Sequence, residues 1–558
     1  MSLPDGRFTI SFNGEITNYV EIREELAREG ETFVSGGDTE VLLKAWARWG
    51  AGTLDRLEGM YAFAILDTRA RTLTLVRDPY GIKPLFYVHE ANALAFNSEI
   101  RGLLHIAVPR PRLDWQAAVD YLQWGAYDRS ERTFVEDVRQ LAPGHHLVLD
   151  LDTGASSGPT RYWNPEIRQR FEGSYANAAE QVRSLFIDSV RRNLRSDVPL
   201  GIALSGGIDS SAILGAARHL EPDLPIETFS YISPGFAHSE HEWVAMVAGA
   251  LGANSNTVEA SSTDLERDLD DLMLSQGEPF GSTSIYAQYR VFQLAREHGV
   301  VVTLDGQGGD EIFAGYEGYP AQRMRSLIET GHWAGAVGFA RQWGKWPGRN
   351  PRAMMVEAAG QFAPSALRGR IIRRPASPLL DLNQLAARNI EARFPLHTVE
   401  APRGRRVAAE LRTALTRAGL PSLLRHGDRN SMRFSIESRV PFLDRALNEF
   451  VLQLPEAWLI GPDGTSKRIL RDSLRGLVPQ EVLERKDKVG FATPQTTWLE
   501  QLAAQPSDPD HPIGFLKVTE SHTLSSGLSE SQLHWGPGSH WRLVNLRRWV
   551  SLMDIDAS

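Results

Sequence analysis

Val198-Pro-Leu-Gly-Ile-Ala-Leu-Ser-Gly-Gly-Ile-Asp-Ser-Ser211 decides how the larger part of this chain folds. Its apolar start reads as a short strand, and Leu204-Ser-Gly-Gly-Ile-Asp-Ser-Ser211 as the turn into which that strand empties. Two adjacent glycines let the backbone approach an anion closely, and small hydroxyl side chains add donors without filling the space. The apolar Ala212-Ile-Leu continues as a helix whose first N–H groups face the same point. An isolated Ser-Gly-Gly-x-Asp-Ser is also compatible with an ordinary tight turn carrying a serine cap. The spacing differs from Gly-x-x-x-x-Gly-Lys-Ser/Thr, which excludes a Walker loop.

Around this stretch the chain alternates between two patterns. From Arg7 to about Pro165, short alternating apolar segments such as Arg7-Phe-Thr-Ile-Ser-Phe12 and Thr72-Leu-Thr-Leu-Val76 predict a sheet-rich α+β domain. Amphipathic helices are expected at Tyr19 to Arg28 and Thr39 to Trp49, the second from an Asp38-Thr39 cap. A boundary is expected between Trp163 and Ser174, dividing residues 1–165 from residues 174–558. Beyond it, Gly201 to Leu204, Ile226 to Tyr231 and Val300 to Leu304 alternate with helical stretches, the mark of a parallel α/β sheet. From Tyr319 the pattern is mostly helical, with Arg368 to Pro378 an exposed loop.

Composition narrows the function classes. A formal net charge of −9 gives no general attraction to nucleic acid, and no apolar run is long enough for a bilayer. Without a leader pattern at Met1, a cytoplasmic place is the default. The absence of cysteine excludes disulfides, thiolate metal sites and thiol nucleophiles within these 558 residues.

In an open parallel sheet, ligands collect at the carboxyl ends of the strands. A second chemically rich loop, Asp305-Gly-Gln-Gly-Gly-Asp-Glu311, follows the Val300 strand. A single loop aspartate is usually a solvated turn former. Two of them at glycine-rich strand ends suit Mg²⁺, which takes one or two protein carboxylates plus phosphate oxygens, so Asp209 and Asp310 are assigned as metal ligands. Leu204, Ser205, Gly206, Gly207, Asp209, Ser210, Ser211 and Gly306 are the expected ATP-binding residues.

The turn at Leu204 resembles the PP-loop of the N-type ATP pyrophosphatases, which cleave ATP between its α- and β-phosphates. Together with Asp305-Gly-Gln-Gly-Gly-Asp-Glu311, Asp428-Arg-Asn-Ser-Met-Arg-Phe-Ser-Ile-Glu-Ser-Arg-Val-Pro-Phe-Leu-Asp444 and Arg485-Lys-Asp-Lys-Val-Gly-Phe-Ala-Thr-Pro494, it is similar to the glutamine-dependent asparagine synthetases. That resemblance implies ATP and Mg²⁺ as cofactors and aspartate as the acid, converted to asparagine through a β-aspartyl-AMP intermediate. It implies that Lys488 stabilises charge on the phosphates and the tetrahedral intermediate. Glu437 is a candidate for positioning or proton handling, with a structural ion pair to Arg439 equally open. Gln307 stands where many members carry an acidic residue, so another carboxylate also remains open, from a polysaccharide, a natural-product precursor or a ring-closing substrate. A non-catalytic nucleotide-binding regulator is the reading from a different class.

The first half extends the resemblance to the class II glutaminases. In Phe12-Asn-Gly-Glu-Ile-Thr-Asn-Tyr19, Asn13 and Gly14 would form an oxyanion hole and Glu15 would hold the glutamine amine. Thr17 replaces the family's tyrosine there. Taken alone, Asn13-Gly14 also fits a β-hairpin turn. Gly36-Gly-Asp-Thr-Glu-Val-Leu-Leu43 would bring Asp38 to the glutamine α-amino group. Arg77-Asp-Pro-Tyr-Gly-Ile-Lys-Pro-Leu-Phe-Tyr87 and Ala95-Phe-Asn-Ser-Glu-Ile100 continue the likeness. The family's catalytic cysteine is absent, and Met1-Ser-Leu-Pro-Asp-Gly-Arg-Phe8 looks like an internal stretch of a longer relative. The expectation is a first domain lacking its N-terminal segment, less stable than a complete one, in a chain that uses free ammonia. Glutamine would serve the parent only, and a homodimer stays open.

Overall fold

The computed structural model describes residues 1–90, 93–233, 240–360, 362, 376–377, 379–392, 400–486, 493–503, 513–517 and 538–558, the side chains of 500–503 excepted. Its strands are β1 (Phe8–Ile16), β2 (Gly59–Asp67), β3 (Thr72–Arg77), β4 (Phe86–Glu90), β5 (Ala93–Asn97), β6 (Arg139–Gln140), β7 (His145–Asp150), β8 (Ser156–Arg161), β9 (Leu200–Ala203), β10 (Glu227–Tyr231), β11 (Asn254–Val258), β12 (Val302–Leu304) and β13 (Glu437–Arg439).

The first half holds an antiparallel sheet in the order β1-β2-β3-β7-β8 and a smaller sheet in the order β5-β4-β6. Strand β2 is buried almost throughout, because both of its faces are covered. Tyr61, Phe63 and Ile65 pack with Leu26, Val41 and Trp46 of the two flanking helices. Ala62 and Ala64, one residue out of phase, pack with Leu85, Tyr87 and Leu147 on the other side. Asn13 and Gly14 lie inside the continuous β1, paired with Ala62 and Tyr61, and form no hairpin.

The helices at Tyr19–Arg28 and Asp38–Trp49 form as expected, but the second is not capped by Asp38. Gly37 is its N-cap, and the Asp38 carboxylate instead accepts the Ile16 backbone N–H at 2.9 Å. A distant strand end outcompetes the local cap.

The second half is built on a parallel sheet in the order β11-β10-β9-β12-β13. Strand β9 lies at its centre, so the helix that follows, Ile208–Leu220, is buried along Ala212, Ile213, Leu214, Ala216 and Ala217. The helix at Tyr175–Asn193 starts from Ser174, whose side chain accepts the Asn177 N–H. Edge strands β11 and β13 carry no apolar alternation that would have marked them in the sequence. Residues 368–375 and 378 of the expected arginine-rich loop lie outside the described residues. Among the described residues, no helix is long and apolar enough to cross a membrane.

The two halves share polar contacts. Lys83 and Asp428 form a fully buried ion pair at 2.9 Å. The Arg195 guanidinium donates to the Thr17 carbonyl at 3.0 Å and pairs with Glu21 at 2.5 Å. Near the C-terminus, Trp541 donates to the Phe280 carbonyl at 2.9 Å, which also accepts from the Tyr121 hydroxyl at 2.7 Å.

Candidate active site

The carboxyl ends of β9 and β12 open into a cavity of about 400 Å³. The phosphate-type turn forms one wall. Gly206 takes a left-handed φ of +71°, and a side chain there would meet Trp243 at 2.6 Å. Ser205 and Ser210 hold the turn together, their hydroxyls 3.1 Å apart. Of the expected ATP-binding residues, Leu204, Ser205, Gly207, Asp209, Ser210 and Gly306 line the cavity. Ser211 is fully buried in the helix behind it.

Asp209 and Asp310 converge, and what they converge on is a lysine that sequence reasoning did not single out. The Lys467 ammonium lies 2.7 and 2.5 Å from the two Asp209 oxygens and 2.7 Å from Asp310. Burial opposes its charge, but the Asp209 and Asp310 carboxylates outweigh that penalty and hold its pKa above the ordinary lysine value. Gly315 makes the approach possible, since any side chain there would collide with the Asp310 carboxylate. One ammonium leaves one of the two carboxylate charges uncompensated, which fits a second cation shared with phosphate oxygens. Among the described residues, no cluster of three or more His, Cys, Asp or Glu side chains could hold a metal by itself.

Another part of the lining is mostly uncharged side chains. Gln307, Gln288, Ser284 and His426 stand there together with Asp305. Burial pushes the Asp305 carboxyl up to about 6, against bonds from the Gln307 and Gly306 N–H groups and from Gln288. His426 stays uncharged, its pKa driven far down by burial and by neighbouring Arg425. Its ring nitrogens contact Gln276 at 2.7 Å and the Tyr127 hydroxyl at 3.0 Å, so a first-half residue helps fix this part of the lining.

Glu437 does not line this cavity. Paired in β13 with Val302, it bonds the Arg439 guanidinium at 2.6 Å. It stands close enough to Glu15 and Asp38 to raise both of their pKa values. Glu15 is pushed up to about 7, first by burial and then by Glu437 and Asp38. Burial is also the main cause raising Asp38. Arg439 approaches Glu15 at 3.7 Å, while its backbone carbonyl accepts the Asp305 N–H at 2.8 Å. Asn13 donates to Ser98 at 3.1 Å, and a side chain on Gly14 would collide with the Met60 carbonyl. Asn13, Gly14, Glu15 and Asp38 thus gather at one end of β1, against the second half. Lys488 lies outside the described residues.

A family model described as asparagine synthase matches residues 181–512, and one described as a glutamine amidotransferase domain matches residues 1–163. Glutamine-hydrolyzing asparagine synthetase 1 of Bacillus subtilis is 30% identical over 528 residues, covering 89% of this chain and 78% of that protein. Glutamine-hydrolyzing asparagine synthetase 3 of the same organism is 28% identical over 580 residues, covering 98% and 88%. A putative glutamine-hydrolyzing asparagine synthetase of Mycobacterium bovis is 32% identical over 531 residues, covering 89% and 76%.

Proposed function

We infer the function from one premise: the chain belongs to the asparagine synthase family. It is an enzyme of asparagine synthetase type, and ATP-dependent amide formation is the activity the family supports. The finer steps are our reading. A carboxylate cannot expel oxide, so an oxygen of aspartate attacks the α-phosphorus of ATP, pyrophosphate leaves, and ammonia then displaces AMP from β-aspartyl-AMP. The observation that supports this most is the Asp209–Lys467–Asp310 constellation against a phosphate-type turn.

In this reading the turn N–H groups and Lys467 meet the phosphates and offset the charge of the incoming carboxylate. Asp209 and Asp310 would hold Mg²⁺, which when bound supplies further charge neutralisation at the phosphate oxygens. Lys488 keeps its proposed charge-stabilising role, and Glu437 acts through Arg439. Asn13, Gly14, Glu15 and Asp38 form the proposed glutamine pocket. In these 558 residues, which include no cysteine, nitrogen enters as ammonia.

The test is AMP and pyrophosphate release from Mg-ATP with aspartate and ammonia. Release without aspartate dependence would refute the aspartate step, and asparagine formed from glutamine at low ammonia would refute the nitrogen source. Gln307 in the cavity lining favours a second reading, another carboxylate as acceptor. A panel of acids with ammonia separates the two.

A further inference from the structure

Lys467 holds a backbone conformation that a lysine adopts only against a steric cost. Its φ is +53° and its ψ +31°, left-handed for an L residue, at the N-cap of the short helix Arg468–Ser473. Such a conformation persists where the surroundings over-determine it. The preceding turn closes with the Gly461 N–H donating to the Thr465 carbonyl at 2.8 Å, one peptide before the one that leads into Lys467.

Arg471, one turn later, holds the backbone on both sides of the Lys467 Cα. Its Nε donates to the Ser466 carbonyl at 3.0 Å, and its backbone N–H donates to the Lys467 carbonyl at 2.9 Å. Its Nη1 donates to the Leu483 carbonyl at 2.7 Å, in the helix Gln480–Glu484, so one planar fork ties the lysine turn to a second element. Arg471 also lines the cavity. Burial lowers its pKa and nearby Asp209 opposes that shift, which sets the guanidinium close to the carboxylate that Lys467 meets.

We propose that Arg471 is a positioning residue that acts through Lys467: by fixing the carbonyls before and after the Lys467 Cα, it aims the ammonium at Asp209 and Asp310. Its consequence for the reaction rests on the adenylation reading. In that step an acceptor carboxylate oxygen bonds to the α-phosphorus while the bond from that phosphorus to the α–β bridging oxygen breaks, its electron pair leaving with pyrophosphate. Arg471 gains and loses no proton. It keeps the Lys467 charge where the phosphates gather, and a misplacement of about 1 Å can cost on the order of 10²-fold in rate.

The experiment is a double-mutant cycle on the 558-residue protein, crossing Arg471→Gln with Lys467→Met. It reads kcat and KM for acid-dependent AMP formation and, separately, the denaturation midpoint without Mg²⁺. Arg471→Gln alone lowers kcat about 10²-fold with KM for ATP within about twofold, and costs less than about twofold further once Lys467 is methionine. The midpoint loss caused by Lys467→Met shrinks to about half or less in the Arg471→Gln background. Arg471→Lys keeps the charge without the fork, recovers only part of the rate, and carries the same cycle if Arg471→Gln does not fold. Additive losses in either readout would make Arg471 a general brace, a loss confined to KM would make it a phosphate contact, and full activity in Arg471→Lys would assign its charge alone. Each would overturn the proposal. A coupled midpoint without acid-dependent AMP formation would keep Arg471 as the residue that places Lys467 and sink the adenylation reading.

Discussion

Replacing Lys467 by methionine removes the positive charge from between two acids while nearly preserving side-chain volume. At an effective dielectric near 20, each contact at about 3 to 4 Å carries roughly 4 to 6 kcal/mol of attraction. The side chain is 5% exposed and the Asp209 and Asp310 side chains 19% and 17%, so solvent screens the pair weakly. Desolvation offsets much of that gross attraction, and removing one partner of a buried pair costs about 3–5 kcal/mol. Lys467→Met should therefore lose about 3–5 kcal/mol in equilibrium denaturation without Mg²⁺ at pH 7.5. Adding Asp209→Asn and Asp310→Asn should restore part of it, because the repulsion between bare carboxylates is then gone. The lysine pKa is raised on folding, so its contribution is complete below the unfolded value, about 10.4, and is lost as pH rises through the higher folded value. Acid-dependent AMP formation should fall about 10²- to 10³-fold in the single variant. A loss below about 1 kcal/mol, or a triple variant no more stable than Lys467→Met, would refute the reasoning.

The turn offers a paired comparison. Gly206→Ala meets Trp243 at 2.6 Å from a φ of +71°, whereas a side chain on Gly207 meets only the Ser205 hydroxyl at 3.3 Å. Calorimetry should show ATP affinity reduced about tenfold or more by the first change and much less by the second. Asp428→Asn strands the buried Lys83 ammonium and should cost about 3–5 kcal/mol in chemical denaturation, the same change at exposed Asp152 about 0–1. Glu15 supplies a pH signature. Its folded carboxyl is raised to about 7 from 4.5, so the native state holds a proton that the unfolded chain has released. That stabilisation is present below pH 4.5 and is lost as pH rises through 7. The melting temperature relative to Glu15→Gln should therefore fall between pH 5 and pH 8, and a rise would contradict the burial argument.

Local signals carried the parts of the fold and site that the sequence made legible. The β9 run, the glycine pair behind it and the acidic loop after β12 announce strand ends, and strand ends of a parallel sheet meet at one edge. Lys467 has no such mark. Its partner Asp209 is 258 residues away, and Lys467 stands as the N-cap of the short helix Arg468–Ser473 with a left-handed φ of +53°. Polar β11 and the three residues of β13 become strands through their neighbours rather than through propensity. The place of Glu437 follows from that pairing, which sets it toward Glu15 instead of the cavity. Asp38 looked like a helix cap because the competing donor, the Ile16 N–H, belongs to another element.

Carboxylate adenylation can be read from the fate of one oxygen atom. With ammonia, Mg-ATP and aspartate labelled with ¹⁸O in its β-carboxylate, transfer to the α-phosphorus leaves one labelled oxygen on AMP. Adenylation puts that label in AMP, in step with amide formed, and none in pyrophosphate. Amide formation with unlabelled AMP, or with the label in inorganic phosphate beside ADP, would contradict it.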